Sequence, residues 1–245
     1  MSLDNLSKQL PPLLVLAGGL GTRLQSMVNE VPKPLAPVCG KPFMTYLIEN
    51  WIAQGVRSFI FLLHHKAAIF EQYIASAAMT ELLSHCSVTC VREPKLLGTG
   101  GAVANAIRLL KLNGDVLITN ADTWLDRGFD QFPQDDRNYI GGVNIQDASR
   151  FGTLALIGER VTAFREKQGG QVSGWINAGI YRLKTETFLG KGDGQFSIEH
   201  DVLPQLAARG ELSCVKLDGD FIDIGVPQDY LRFCNWIALE RLCKL

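Results

Sequence analysis

The chain has 245 residues, 20% of them charged, and a formal net charge of −1. That length can bury a substantial core in one large domain or two small ones, while lysines and arginines spread along the chain do not make the basic stripe of a nucleic-acid binder. No apolar run reaches the roughly 18 residues of a membrane span. The opening "MSLDNLSKQLPP" lacks the basic start and apolar core of a signal peptide and reads as a loose tail over residues 1–11. Six cysteines, at 39, 86, 90, 214, 234 and 243, are scattered, and the close pair Cys86 and Cys90 has no second pair at zinc-site spacing. Reduced thiols in a soluble cytoplasmic protein are the expectation.

Taken in order, "PLLVLAG" (12–18) is a short apolar run ending in glycine, as a buried parallel strand would be. "PFMTYLIENWIAQG" follows as a helix with Phe43, Tyr46, Leu47 and Trp51 on one face and Gly55 at its stop. "VRSFIFLLHH" (56–65) is a second strand, "AAIFEQYIASAAM" (67–79) a helix, "SVTCVREP" (87–94) a strand, "GGAVANAIRLLKL" (100–112) a helix and "DVLITNAD" (115–122) a strand. This alternation predicts a mostly parallel sheet with helices on both faces. From residue 136 the pattern changes. "YIGGVNIQ", "GTLALIG", "RVTAFREK" and "WINAGIYRL" are strand-like, then comes a helix near "SIEHDVLPQLAARG", a strand pair "LSCVKLDGDFIDIG" and a closing helix from about Pro227. A half at 12–135 and a mixed-sheet half at 136–245, sharing one core, fit better than two independent domains.

Ligands of open α/β sheets bind outside the carboxyl ends of the strands. The polar residues there are Gly18 to Arg23, Glu93 and Asn120 to Asp122. A glycine turn after a strand aims backbone N–H groups at one spot and suits phosphate oxygens; the bland alternative is a tight strand exit. "GGLGTRL" is neither of two familiar phosphate loops. It lacks the Gly-Lys-Ser/Thr of a Walker A loop and the third glycine of a dinucleotide fingerprint. Lys33 stands between Pro32 and Pro34, which fix the backbone on both sides and push Lys33 toward extended geometry. It reads as a cation preorganised against anionic charge or as a solvated lysine on a rigid loop. Asp122 follows an apolar strand and Asp223 sits inside one, between Ile222 and Ile224. Such acids are helix caps or salt-bridge partners, or they share one Mg²⁺ with substrate phosphates. The presence of Arg23 and Lys33 favours the second reading.

In these stretches the chain resembles the sugar-1-phosphate nucleotidyltransferases. The resemblance runs nearly end to end through "LAGGLGTRL", "VPKPLAPV", "EPKLLGTGGA", "TNADTWLD", "FGTL", "FREK", "NAGIY" and "FIDIGVPQDY". Within the family, "GGLGTRL", "LGTGGA" and "FIDIGVPQDY" are most similar to the D-glycero-α-D-manno-heptose 1-phosphate guanylyltransferase branch. It implies a Rossmann-like three-layer α/β sandwich with a nucleotide-binding half and a sugar-phosphate-binding half. It also implies a reaction: a sugar 1-phosphate oxygen attacks the α-phosphorus of an NTP, here GTP, and pyrophosphate leaves.

The same resemblance implies roles. Ala17, Gly18, Gly19, Gly21 and Thr22 would wrap the nucleotide, with Asn120 beside them. Arg23 would hold the pyrophosphate and Lys33 the α-phosphate charge. Glu93 and the Gly98, Thr99, Gly100 turn would carry the base pocket. Gly152, Glu166, Lys167 and Asn177 would hold the sugar phosphate, and Asp122 and Asp223 the Mg²⁺. Glu166 and Lys167 could equally be a solvated strand end, and Asn177 a turn contact. Two positions depart from the family pattern: Ala121 stands where glycine is common before the metal aspartate, and Phe151 where tyrosine is frequent. Both bear on specificity and remove no charged group. Mannose or N-acetylmuramate 1-phosphate with GTP or UTP are alternative substrates. A metal-dependent glycosyltransferase and a non-catalytic nucleotide-sugar sensor are alternative classes, and the first has no use for Arg23 and Lys33. The last helix is broadly apolar, so the chain is expected as a monomer or homodimer.

Overall fold

The structure, a computed structural model, describes residues 9–24, 27, 28, 30–165, 173–192 and 194–242. In chain order they form β1 (Leu13–Leu16), a small antiparallel pair β2 (Pro37–Val38) and β3 (Lys41–Pro42), α1 (Phe43–Ala53), β4 (Ser58–Leu63), α2 (Ala67–Ile74), α3 (Ala77–Leu82), β5 (Ser87–Arg92), α4 (Gly98–Leu110), β6 (Asp115–Asn120) and β7 (Thr123–Leu125). Then come β8 (Asn138–Ile145), β9 (Thr153–Ile157), β10 (Arg160–Arg165), β11 (Gly174–Lys184), α5 (Leu203–Arg209), β12 (Leu212–Leu217), β13 (Phe221–Asp223) and α6 (Pro227–Leu242).

Nine strands make one sheet in the order β5-β4-β1-β6-β11-β8-β12-β10-β9. The apolar runs of the first half pair in parallel, β5 with β4, β4 with β1 and β1 with β6. β11 then enters antiparallel to both β6 and β8, and β12 lies parallel to β8. Alternation along each strand splits the core into two layers. Leu13, Val15, Phe59 and Phe61 pack with α1, α2, α3 and α6, whereas Leu14, Ile60, Leu62 and Ile118 pack with α4 and α5. The result is the expected three-layer sandwich. Among the described residues, no helix is long and apolar enough to cross a membrane.

Three expectations are corrected. The helix read over 67–79 is two helices, because Ser76 is extended (ψ 153°) and its carbonyl accepts from the Thr80 N–H at 2.9 Å to start α3. The helix read from Gly100 starts at Gly98. The strands of "LSCVKLDGDFIDIG" do not pair with each other. β12 lies between β8 and β10, while β13 crosses to pair antiparallel with β7, Asp223 opposite Thr123. Gly219, between them, packs so closely on the Asp126 carboxylate that a side chain has no room there.

Candidate active site

β1 delivers the glycine turn to the carboxyl end of the parallel strands. Ala17 still donates its N–H to the Leu62 carbonyl (3.0 Å) before the chain leaves the sheet. A Cβ on Gly18 would stand 2.8 Å from Glu93 Oε1, so the missing side chain lets β5's end approach β1's. Gly21 has φ +60°, and a Cβ on it would lie 3.0 Å from that of Lys33. The turn and the proline-flanked loop are therefore packed on each other. Lys33 opens a short 3-10 turn instead of being extended. The Leu35 N–H donates to the Pro32 carbonyl (2.8 Å), the Ala36 N–H donates to Lys33's own (3.0 Å), and buried Pro34 and Leu35 anchor the loop.

Its ammonium reaches both predicted acids. Lys33 Nζ lies 2.5 Å from Asp122 Oδ2 and 4.0 Å from Asp223 Oδ1, and the lysine side chain is only 10% exposed. The two carboxylates come from positions 101 residues apart, and the backbone joins them: Ile224 N–H donates to the Asp122 carbonyl at 2.9 Å. Asp223 Oδ1 accepts from Gly225 N–H (2.6 Å). Burial raises the Asp223 carboxyl pKa above the ordinary range, and Asp122's negative charge adds to this. Lys33, the Gly225 N–H and Arg23 pull the other way. Two carboxylates against one ammonium leave a net negative charge. With only oxygen donors, the pair suits a hard divalent cation completed by phosphate oxygens. No group of three or more metal-ligating side chains occurs among the described residues, so such an ion would draw the rest of its shell from substrate or water.

Two adjoining cavities open over this triad. One, of about 230 Å³, is lined by Ala17, Gly19, Gly21, Arg23, Lys33 and Asp122, with Ala121 in its wall. The other, of about 360 Å³, shares Gly19, Arg23 and Asp122 and adds Gly18, Glu93, Gly98, Thr99, Asn120 and Asp223. Glu93 Oε2 accepts from Leu97 N–H (2.9 Å), yet burial still holds its carboxyl pKa above the ordinary value.

Gly100, Gly152 and Asn177 line neither cavity. Gly100 is packed under the Phe196 ring, and its N–H donates to the Phe196 carbonyl (3.0 Å). Asn177 makes a turn contact, its Oδ1 accepting from Gly179 N–H (2.9 Å) and its Nδ2 donating to the Tyr181 hydroxyl (2.8 Å). Gly152 is exposed at the start of β9. Thr22 opens a 3-10 turn after the glycines, while Glu166 and Lys167 lie outside the described residues. Phe151, one of the two departures, meets Phe221 edge-on at 5.8 Å between ring centres. Glu199, absent from the expectations, lines the larger cavity. The surrounding "SIEHDVLPQL" reads only as a helix start, and nothing in it signals a cavity-facing acid.

The nucleotidyl transferase family model matches residues 13–238. The chain belongs to this family. It is similar to the D-glycero-α-D-manno-heptose 1-phosphate guanylyltransferase of Campylobacter jejuni, 29% identical over 222 residues that cover 90% of this chain and 97% of that one. The mannose-1-phosphate guanylyltransferase catalytic subunit beta of Danio rerio is 31% identical over 237 residues, covering 93% of this nucleotidyltransferase and 65% of that protein. Among solved structures, HddC from Yersinia pseudotuberculosis complexed with GMP-PN superposes with a TM-score of 0.81 at 33% identity, covering 93% of this chain and 100% of that one. Nucleotidyltransferases of this family take an NTP and a sugar 1-phosphate and generally use a divalent metal.

Proposed function

We propose that this nucleotidyltransferase makes GDP-D-glycero-α-D-manno-heptose from GTP and the heptose 1-phosphate. The observation that carries the chemistry is the Lys33 ammonium set between Asp122 and Asp223 under the glycine turn. A heptose 1-phosphate oxygen forms a bond to the α-phosphorus as the bond to the pyrophosphate oxygen breaks, so the reacting groups are all anionic. What the protein must supply is alignment and positive charge rather than a covalent partner. Lys33 neutralises the α-phosphate, Arg23 holds the departing pyrophosphate, and the N–H groups of the Gly18–Gly21 turn take phosphate oxygens. Mg²⁺ on Asp122 and Asp223 would supply further neutralisation at the reacting phosphates. Glu93 is assigned to accept from the N1–H and N2–H of guanine, donors that adenine does not present together. Gly152, Glu166, Lys167 and Asn177 are assigned to the heptose phosphate. The choice of GTP and heptose is supported by the relatives from Campylobacter jejuni and Yersinia pseudotuberculosis. The setting is the cytoplasm, and the working unit a monomer or homodimer.

The test is pyrophosphate release from purified protein and Mg²⁺ with GTP, ATP, CTP or UTP, each against heptose, mannose or N-acetylmuramate 1-phosphate. Release confined to GTP with the heptose phosphate is expected. Release with mannose 1-phosphate instead would move the chain to the branch of the Danio rerio relative. Silence with every pair from protein that binds nucleotide would remove the catalytic reading.

A further inference from the structure

We propose that Cys39 and Cys234 form a thiol-modification site, at which Cys39 reacts with a small disulfide of the glutathione type and Cys234 resolves the adduct into a protein disulfide. The site does not depend on the nucleotidyl-transfer reading above. Cys39 and Gly40 make the two-residue turn between β2 and β3, with φ +45° and +84°. Turns with two positive φ values favour asparagine, aspartate or glycine at the first position, and other residues are uncommon there. The backbone therefore does not call for a cysteine at position 39. The Cys39 side chain is exposed yet directed at α6, where Sγ donates to the Cys234 carbonyl at 3.6 Å. The half-buried Cys234 thiol turns toward the same hairpin. The Tyr230 hydroxyl, which donates to the Pro37 carbonyl of β2, is also within hydrogen-bond reach of the Cys234 sulfur. Burial raises the Cys234 thiol pKa, the Tyr230 hydroxyl lowers it, and a charge on Cys39 raises it again, so each sulfur lies in the other's field.

Exposure sets the order of events. A Cys39 thiolate, its proton lost to water, attacks one sulfur of the small disulfide. That S–S bond breaks, one thiolate leaves, and a mixed disulfide forms on Cys39. Cys234 then loses its proton and attacks the Cys39 sulfur, and the second small thiolate leaves. The two leaving thiolates take up two protons, so two protein thiols and one small disulfide become one protein disulfide and two small thiols. Closing the bond requires the Cys39 side chain to swing from the Cys234 carbonyl to the Cys234 sulfur, a rotamer change open to an exposed side chain. In a reducing compartment such a bond is transient. The other described cysteines differ: Cys90 and Cys214 are pushed up to about 11 by burial, and Cys86 is raised by the same cause. The seam also borders the site. Ala36, just before β2, donates its N–H to the Lys33 carbonyl, and α6 begins at Pro227, shortly after Asp223. The bond would join the segment that carries Lys33 to the helix that follows Asp223.

The experiment treats the reduced, folded full chain with glutathione disulfide at about pH 8, near the ordinary thiol pKa. Samples are quenched with an alkylating agent over time, and the cysteine peptides are mapped by mass spectrometry. Wild type is expected to yield a Cys39–Cys234 cross-link at least about tenfold faster than any adduct at Cys90 or Cys214, whose burial suppresses the thiolate. Dithiothreitol should return both thiols. In Cys234→Ala the mixed disulfide of Cys39 with glutathione should accumulate, because nothing resolves it. In Cys39→Ser the Cys234 thiol should stay unmodified over the same period. If Cys39→Ser does not fold, Cys39→Asn, which suits the turn, is read the same way. A lasting glutathione adduct on Cys39 in wild type would overturn the proposal, as would pairing of Cys39 with a different cysteine. A cross-link that forms only after unfolding in urea, or no reaction at either thiol, would overturn it as well. No substrate enters the assay, so its outcome is independent of the reaction assigned above.

Discussion

Lys33 is held by both acids, so its ammonium is fixed in position beneath the glycine turn. Lys33→Ala is expected to lower kcat by about 10²- to 10³-fold, the range seen when one preorganised charge-stabilising donor is lost. A steady-state assay with pyrophosphate readout, on protein shown to be folded by circular dichroism, checks this. Glu93 gives a pH-dependent counterpart. Burial raises its folded-state pKa above 4.5, and the Leu97 N–H only partly offsets that. A carboxylate raised on folding favours the native state below its unfolded pKa and loses that contribution as pH rises through the folded value. Glu93→Gln should therefore melt higher than wild type at pH 7, and the gap should close as pH falls toward 4.5. Thermal melts across that range give the answer, and a constant gap would mean that burial of the charge is not the cause. The same variant should lose preference for GTP over ATP if Glu93 reads guanine.

At the scale of elements, the opening of α4 depends on a close contact. Gly100 has the Phe196 ring packed where a side chain would begin, and both Gly100 and Gly101 donate to the Phe196 carbonyl. Gly100→Ala should cost about 1–3 kcal/mol through overpacking. In a domain of this size that reads as a fall in melting temperature of about 2–4 °C per kcal/mol. Phe196→Leu in the Gly100→Ala background should recover part of the loss. The sequence shows "LLGTGGA" as a glycine turn before a helix, but not that Phe196, nearly a hundred residues on, requires it. The same limit recurs elsewhere. The strands β1, β4 and β6 are legible because central parallel strands are apolar on both faces, while β5, at the edge of the sheet, shows as an alternating run with β-branched residues. β7 is not legible, because three residues carry no readable period, and β13, though read as a strand, gives no sign that it pairs with β7. Asp122 and Asp223 are legible as unusual acids among apolar neighbours, while their meeting depends on that unread ribbon. Glu199 is illegible for a related reason: its neighbours in sequence describe a helix start, and the hydroxyls that fix it come from positions 99, 181 and 197.

For the whole molecule, one sheet runs through both halves, with β11 bridging β6 and β8 and contributing to both core layers. Unfolding should accordingly be a single transition, with far-UV dichroism and tryptophan fluorescence coincident. Trp51 reports on the first half and Trp175 on the second. Two separated transitions would make the halves independent domains. A GTP analogue with Mg²⁺ at 100 times its dissociation constant should stabilise the chain by about 2.7 kcal/mol, a shift that Lys33→Ala should shrink.

The placement of β12 and β13 also bears on how the chain is born. Residues 212–217 fill the gap between β8 and β10, and residues 221–223 supply the second acid. On the ribosome the parallel half can assemble early, but the sheet stays open and Lys33 faces Asp122 alone until the strands from residue 212 onward emerge. A nascent chain stalled at residue 210 would hold the glycine turn and lack the paired acids. Competence for nucleotidyl transfer is thus deferred until residues 212–223 have been made.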